Sequence, residues 1–408
     1  MTTRTRTNHR AAARTIGACA ALFVCFLGGC GMQGNFTAEH QSRAKERMLE
    51  IKAATEWQTA NQAFLAGDLE KAEKAVNRSI SINGNVCKSH VLHGRILMEK
   101  GEIDAAMKAL SKAAALDPNS PDAPYYLAIA FERIQQSETA LQNYLKAADL
   151  DPANPQYAIA TAEMLVDLKR LDEAEQYLNS RGGTFEHNAG VKQTLGHIAM
   201  MKGDAKLSVA LFSESHLLAP DDIAITEDLI RAQIASGQFG DAEYNLAKIL
   251  HDDTTFQRRD LQHLRVRCLV EVQRPMEARE LLIKLTNGDA GQADVQAWIE
   301  LANVAYQLND PIRVRQAAAR VVAIAPRRVE GHLMQGLQLQ REGKLEEARQ
   351  AFIKAVAAEP SARTLLMLGM VDQKLNKNDE AARCFAKAAE LDPSNQNAKA
   401  LLAAVKDD

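Results

Sequence analysis

Proline and aromatic residues are scarce in this chain. The 408 residues include 11 prolines, and aromatic side chains make up only 5% of the sequence. Alanine, leucine, glutamate and lysine dominate instead, and these residues favour helices. The scarcity of helix breakers and the abundance of helix formers predict an all-helical body.

Strong positive charge is also missing. The formal net charge is −3, and Arg4, Arg6, Arg10 and Arg14 all precede Cys30, so the remainder is more acidic still. Binding to nucleic acid needs a basic face, and binding to anionic lipid through side chains needs a basic cluster. The composition therefore argues against a nucleic-acid partner and against a polybasic contact with a membrane.

Motifs for catalysis are absent as well. The sequence has no His-Glu-x-x-His segment, no phosphate-binding loop and no Gly-x-Ser-x-Gly turn. His90 and His93 stand three positions apart, with Cys87 one turn earlier, which leaves a metal site open, but no acid has ligand spacing on the same segment. We predict that the protein is not an enzyme, and that it uses no cofactor, metal or small-molecule substrate.

The segment before Cys30 has the pattern of a bacterial export signal. An arginine-rich start is followed by the apolar run Ile16–Phe26, which is too short to span a bilayer comfortably. The sequence Leu27-Gly28-Gly29-Cys30 then resembles a lipobox, whose cysteine is diacylated and becomes the new N-terminus. The alternative is a plain signal peptide that happens to contain Cys30. The lipobox interpretation predicts a signal peptide at 1–29, lipidation of Cys30 and export to the cell envelope, with the outer membrane favoured over the inner.

The segment after Cys30 predicts a tether and then a helix. Residues 31–35 are too short and glycine-rich to fold, and Thr37 is a candidate helix N-cap. Neither glycine nor proline occurs from Ala38 to Leu65. We expect a tether at 30–37 and an N-terminal helix at 38–52 that continues into the folded body.

A repeat runs through the folded body with a period of about 34 residues. This length is typical of helical repeat proteins. Leu116-Asp117-Pro118 recurs one period later as Leu150-Asp151-Pro152, and the same triplet returns at 391–393. The period places repeat starts near 53, 87, 121, 155, 189, 223, 259, 295, 329 and 362. Small residues recur in phase at the eighth position (Ala60, Gly94, Ala128, Ala162, Gly196, Ala302, Gly336, Gly369) and the twentieth (Ala72, Ala106, Ala140, Ala174, Ser208, Ala242, Ala278, Ala348, Ala381).

This pattern resembles the tetratricopeptide repeat (TPR), a helix-turn-helix unit with the same period. The resemblance implies an all-α TPR superhelical solenoid of about ten repeats over 53–395, closed by a capping helix and tail at 396–408. Repeats four, six and seven depart most from the pattern and are predicted as irregular helical hairpins. Because each repeat contacts only its neighbours, Cys87, Cys268 and Cys384 are too far apart for disulfides and are expected to be free.

In the TPR family, ligands lie in a groove lined by the first helix of each repeat. The corresponding positions here are apolar at both ends of the array, with Trp57, Phe64, Val91, Tyr125 and Ile159 at one end and Ile299, Tyr306, Leu333 and Leu337 at the other. The middle is polar, with Gln193, Glu227 and His263. The family's carboxylate clamp pairs a lysine with an asparagine, whereas Asn61 and Asn303 are accompanied by Trp57 and Ile299, which disfavours a chaperone-tail ligand.

An exported, lipid-anchored TPR array resembles the TPR lipoproteins of tight-adherence (Flp) and type IV pilus assembly. The resemblance implies a non-catalytic scaffold that binds protein partners of an envelope complex. An accessory role in exopolysaccharide synthesis or export is the alternative, and regulation of a cell-wall enzyme is a third interpretation.

The lipobox interpretation makes a direct prediction. Cys30→Ser removes the acylated thiol, and because two or more acyl chains are needed for stable anchoring, the variant should move from the membrane fraction to the soluble periplasm. Cys87→Ser, which removes a thiol from the repeat body, should stay with the membrane. Recovery of Cys30→Ser wholly in the membrane fraction would contradict the lipobox.

Overall fold

The computed structural model of the protein describes residues 35–407. The predicted signal peptide at 1–29, the predicted lipidation site Cys30 and most of the predicted tether lie outside these residues. Within them the chain forms 23 α-helices and no strand. The prediction of an all-α fold is therefore confirmed. The chain divides into two compact units, with the boundary between Arg133 and Ile134.

The N-terminal unit holds the first five helices. They are α1 (Asn35–Leu65), α2 (Leu69–Ile82), α3 (Cys87–Glu99), α4 (Ile103–Leu116) and α5 (Asp122–Arg133). The second half of α1 packs against α2, and α3 packs against α4, so these are the helix pairs of the first two repeats.

The C-terminal unit holds the remaining helices. They are α6 (Ser137–Leu150), α7 (Pro155–Asp167), α8 (Leu171–Ser180), α9 (Gly182–Phe185), α10 (Ala189–Met201), α11 (Ala205–Leu218), α12 (Ile223–Ala235), α13 (Phe239–Ile249), α14 (Arg259–Glu271), α15 (Pro275–Leu285), α16 (Gly288–Ala293), α17 (Val295–Gln307), α18 (Pro311–Ile324), α19 (Val329–Arg341), α20 (Leu345–Ala358), α21 (Ala362–Lys374), α22 (Asn378–Leu391) and α23 (Gln396–Asp407). From α7 to α22, with the short helices α9 and α16 left aside, they form successive pairs in the frame that the period gives. The first helix of each pair is termed helix A and the second helix B.

The long helix α1 was expected from the run Ala38–Leu65, and it is present. It begins at Asn35, so residues 35–37, which the sequence placed at the end of the tether, are helical and Thr37 is not a cap. The side chains of residues 40–52 are exposed, and burial begins at Ala53. The first repeat therefore starts where the period places it.

Close packing within each repeat depends on the small residues. The residues at the eighth and twentieth positions are buried in every repeat, including the larger Ile230, Val266 and Val314. Where the eighth residue is glycine, a large side chain of helix B fills the space. A Cβ added at Gly336 would lie 2.6 Å from Cε1 of Phe352, and one at Gly369 would lie 2.6 Å from Cε1 of Phe385. Both phenylalanines are fully buried.

The turns between helix A and helix B need a left-handed residue. Glycine supplies it in half of the turns, with φ between +77° and +82° at Gly67, Gly101, Gly203, Gly237 and Gly343. The other five turns place a non-glycine residue there, with φ between +58° and +63°: Gln135, Lys169, Gln273, Asn309 and Asn376. A non-glycine residue in this region costs roughly 1–2 kcal/mol, so half of the turns are held by the packing on either side of them.

Three repeats carry the irregularities that the sequence indicated. In the fourth, α8 has only 10 residues and the short helix α9 follows it. In the sixth and seventh, helices α13 and α15 each have 11 residues. Pro275 occupies the first position of α15, where the missing N–H costs nothing. The array continues through each irregularity because the helix pairing is retained.

The array ends on α23, as predicted. Ala398 and Val405 of this helix are buried against α21 and α22. None of the helices in the described part of the chain is long and apolar enough to cross a bilayer.

Ala106 tests the packing of the second repeat. It is fully buried on α4, so Ala106→Leu should lower the free energy of unfolding by roughly 1–3 kcal/mol through overpacking. Ala115→Leu on the exposed side of the same helix should change it by less than about 0.5 kcal/mol. Urea denaturation of both variants makes the comparison, and equal midpoints would show that the repeat frame is wrong.

Candidate functional site

A pocket of about 240 Å³ opens between the A helices of the N-terminal unit. Helix α1 contributes two side chains, α3 four and α5 two. The lining residues are Trp57, Asn61, Lys88, Val91, Leu92, Arg95, Asp122 and Tyr126. Most of them occupy the second, fifth and ninth positions of their repeats, which face the groove in the predicted frame.

Arg95 lies between two aromatic rings at this pocket. Its guanidinium carbon is 4.8 Å from the ring centre of Phe64 and 4.8 Å from that of Tyr126. Stacking of this kind fixes the plane of the guanidinium and contributes about 0.5–1 kcal/mol at an exposed site. Within residues 35–407, no carboxylate pairs with Arg95. The guanidinium is thus positioned by the two aromatic rings.

Trp57 forms another wall of the pocket. Its indole Nε1–H donates to the backbone oxygen of Lys88 at 3.2 Å, which joins α1 to the start of α3. The Lys88 ammonium and the Asn61 amide make no hydrogen bond or ion pair with the rest of the described chain. The pocket therefore combines a fixed aromatic wall with two positive charges and one amide that face solvent.

The other residues predicted for this end are placed as follows. Tyr125 does not line the pocket, but its ring meets that of Tyr126 edge-on at 5.2 Å between centres. Burial raises the pKa of the Tyr126 hydroxyl. Val91 is buried and forms part of the pocket wall. Ile159 lies in the C-terminal unit, where its Cδ1 is 3.0 Å from the point that a Cβ on Gly190 of α10 would occupy.

The residues predicted for an apolar groove at the other end of the array are buried or half-buried. Ile299 and Leu333 are only 6% and 7% exposed, because they pack into the cores between repeats. Leu337 packs against the same two cores, and the ring of Tyr306 is covered by the Arg341 guanidinium at 3.5 Å. Ile299, Leu333 and Leu337 thus contribute to the packing between repeats.

The polar middle of the array is occupied by bonds between successive A helices. Asp228 of α12 accepts a hydrogen bond from Gln193 of α10 at 2.8 Å and pairs with His197 at 3.0 Å. Burial raises the pKa of Asp228, but the bonds from His197 and Gln193 outweigh it, and the net pKa is lowered. Glu227 pairs in the same way with Arg258, at 2.8 Å. These side chains satisfy one another and serve cohesion.

A slot of about 250 Å³ lies between α14 and α17. It is lined by Val266, Arg267, Val270, Glu271, Glu300, Asn303, Val304 and Gln307. The sequence had indicated only Asn303 at this place. The sequence prediction also missed three residues of the first pocket, because it was built on the apolar fifth positions. Lys88 is a charged second position, Arg95 is a charged ninth position, and Tyr126 is a sixth position.

His90 supports a turn, and the cysteines of the described chain are free thiols. His90 contacts the backbone oxygen of Gly84 through Nε2 at 2.9 Å, which holds the turn before α3. Cys87, Cys268 and Cys384 are free thiols, and burial raises the pKa of Cys268 to about 11. Across the described chain, no group of three or more histidine, cysteine or acidic side chains is arranged to hold a metal ion.

Comparison with known families supports the class of the repeats. Profiles described as TPR repeat and tetratricopeptide repeat match residues 94–135, 127–183 and 362–395. No curated protein matches the chain in sequence.

Several solved structures are similar to it. The C-terminal part of a TPR repeat-containing protein from Cytophaga hutchinsonii is 14% identical, with 60% of this chain and 99% of that chain covered and a TM-score of 0.48. Pseudomonas aeruginosa pilF is 17% identical over 63% of this chain and 97% of its own, with a TM-score of 0.38. A thermophilic TPR protein from Thermus thermophilus is 16% identical over 45% and 99%, with a TM-score of 0.37.

The matched segments are tetratricopeptide repeats, and the helix pairs on either side of them have the same form. Tetratricopeptide repeats bind protein partners. The repeats therefore imply a protein–protein interaction scaffold.

Proposed function

We propose that the protein is a non-catalytic scaffold, anchored in the bacterial envelope by acyl chains on Cys30, that binds a partner through the pocket of its N-terminal unit. The observation that carries the proposal is the Arg95 guanidinium, fixed between Phe64 and Tyr126 and left without a carboxylate from the described chain at the wall of an open pocket. A charge held in this way is pre-organised for a ligand, because little side-chain entropy remains to be lost on binding.

The lining chemistry describes the segment that the pocket would bind. Trp57 and Tyr126 offer aromatic surface, Lys88 and Arg95 offer positive charge, and Asn61 offers an amide for a peptide backbone. An amphipathic segment with an apolar or aromatic side chain next to an acidic one complements the aromatic surface, the positive charge and the amide. Asp122 at the rim would disfavour a ligand with several acidic groups in succession.

The same residues support a role without catalysis. The eight lining side chains include no histidine, cysteine or serine, so no serine–histidine or cysteine–histidine pair is present among them. Aromatic residues and arginine are the residue types that carry most binding energy at protein interfaces.

The envelope assignment rests on the segment up to Cys30 together with the repeats. An acylated, exported TPR scaffold fits the assembly of a pilus or secretion machine, at the periplasmic face of the outer membrane. A TPR accessory of exopolysaccharide synthesis or export would carry the same features, as would a regulator of cell-wall enzymes. The genes beside this one discriminate among them: pilin, secretion-ATPase and secretin genes favour the first, and glycosyltransferase genes the second.

Reversal of one pocket charge tests the proposed site. Lys88→Glu places a carboxylate beside Arg95 and should weaken partner binding at least tenfold, a loss of about 1.4 kcal/mol or more. Lys108→Glu is the matched control, since Lys108 is an exposed lysine of the same unit on α4. Binding is measured as recovery of the partner after affinity purification from membranes of the producing cell, with helical circular dichroism as the check on folding.

One outcome of the charge-reversal experiment would contradict the proposed site. If Lys88→Glu and Lys108→Glu recover the partner equally well, the pocket is not the binding site. Trp57→Ala tests the aromatic wall by the same assay, and an interface anchor of this size typically contributes about 2 kcal/mol or more.

A further inference from the structure

His263 lies between two carboxylates of the same neighbouring helix. Its Nδ1 is 2.7 Å from Oε2 of Glu300, and its Nε2 is 3.2 Å from Oδ2 of Asp294. His263 belongs to α14, whereas Asp294 caps the N-terminus of α17 and Glu300 lies within that helix. About a fifth or less of each of these three side chains is exposed.

We propose that His263 is a proton-dependent bridge, which holds α14 against α17 while its ring carries both protons and loosens this junction when one proton is lost. A neutral imidazole has one N–H and can satisfy only one of the two carboxylates. The other ring nitrogen then turns a lone pair toward a carboxylate oxygen, which is repulsive. The imidazolium donates to both. The geometry is therefore complete only in the charged form.

The carboxylates have other partners, which explains why loss of the proton loosens the junction without dissolving it. Asp294 is also paired with Arg259 of α14, and its Oδ1 accepts the Ala297 N–H at 2.9 Å as the cap of α17. Glu300 accepts a second bond from Gln296 at 2.8 Å. The bond from the Ala297 N–H keeps α17 capped when His263 is neutral, and the bonds from Arg259 and Gln296 leave each carboxylate with a partner.

Of the other charged groups on α14, Arg267 and Glu271 line the slot beside Glu300, and Arg259, Asp260 and Arg265 have partners of their own. Arg258 pairs with Glu227 of α12 and with Asp260, and Arg265 pairs with Glu243 of α13. The electrostatic environment of His263 is therefore set by Glu300 and Asp294. The hydrogen bond that His263 donates to Glu300 is the largest effect and outweighs burial, so the pKa of His263 is raised above the ordinary value of 6.5.

The direction of the pH dependence follows from that raised pKa. The group binds its proton more tightly in the folded chain than in the unfolded chain, so the bridge contributes its full stability below the unfolded pKa. The contribution is lost as the pH rises through the folded pKa. Glu300 also lines the α14–α17 slot, so the same step makes the charge at the slot wall more negative by one unit.

Amide hydrogen exchange of the full-length protein tests the bridge. After correction for the intrinsic pH dependence of exchange, peptides from α14 and α17 should exchange several-fold faster at pH 9 than at pH 6. In His263→Gln, which stays neutral, these peptides should exchange at the fast rate at both pH values. Peptides from α3 and α4 serve as the internal control and should behave alike in the two proteins.

An NMR titration of the wild-type imidazole gives a second readout that does not need the variant to fold. His263 should titrate above the ordinary imidazole value, and Glu300→Gln should lower its midpoint. Titration of wild-type His263 at or below the ordinary value, or the same pH dependence of exchange in wild type and His263→Gln, would overturn the proposal.

Discussion

The close approach of helix A and helix B within each repeat is the constraint on which the structure depends. A glycine or alanine at the eighth position removes side-chain volume, and a large residue of helix B fills the space, as Phe352 does against Gly336. A buried phenylalanine removes roughly 150–250 Å² from water. Each such contact can form within one repeat, so the array can include irregular repeats such as the fourth and seventh without losing its pairing.

This packing decides what each face of helix A can do. Because the small residue faces helix B, the second, fifth and ninth positions point away from it and meet the next A helix or solvent. In the N-terminal unit these positions form the pocket around Arg95. In the middle of the C-terminal unit the same face carries Asp228, Glu227 and His263, which bond to the neighbouring A helix. The same face thus lines an open pocket in one place and joins neighbouring helices in another.

The sequence predicted the repeat frame well because that frame depends on residue size, which follows directly from residue identity. It predicted the binding surface less well. Ile299 and Leu333 were expected in a groove, yet they pack between repeats, since the fifth position can face either the neighbouring helix or solvent. The contacts of Arg95 with Phe64 and Tyr126 could not be predicted from the sequence, and neither could those of His263 with Glu300 and Asp294. Both sets of contacts depend on the angle between adjacent A helices.

The central claim is that a partner protein occupies the pocket of the N-terminal unit, and site-specific photo-crosslinking in the producing cell tests it most directly. A photo-reactive residue at Asn61, inside the pocket, should give a discrete crosslinked species with one protein. The same residue at Lys74, exposed on α2, should not. Equal crosslinking from both positions, or none from Asn61, would contradict the account.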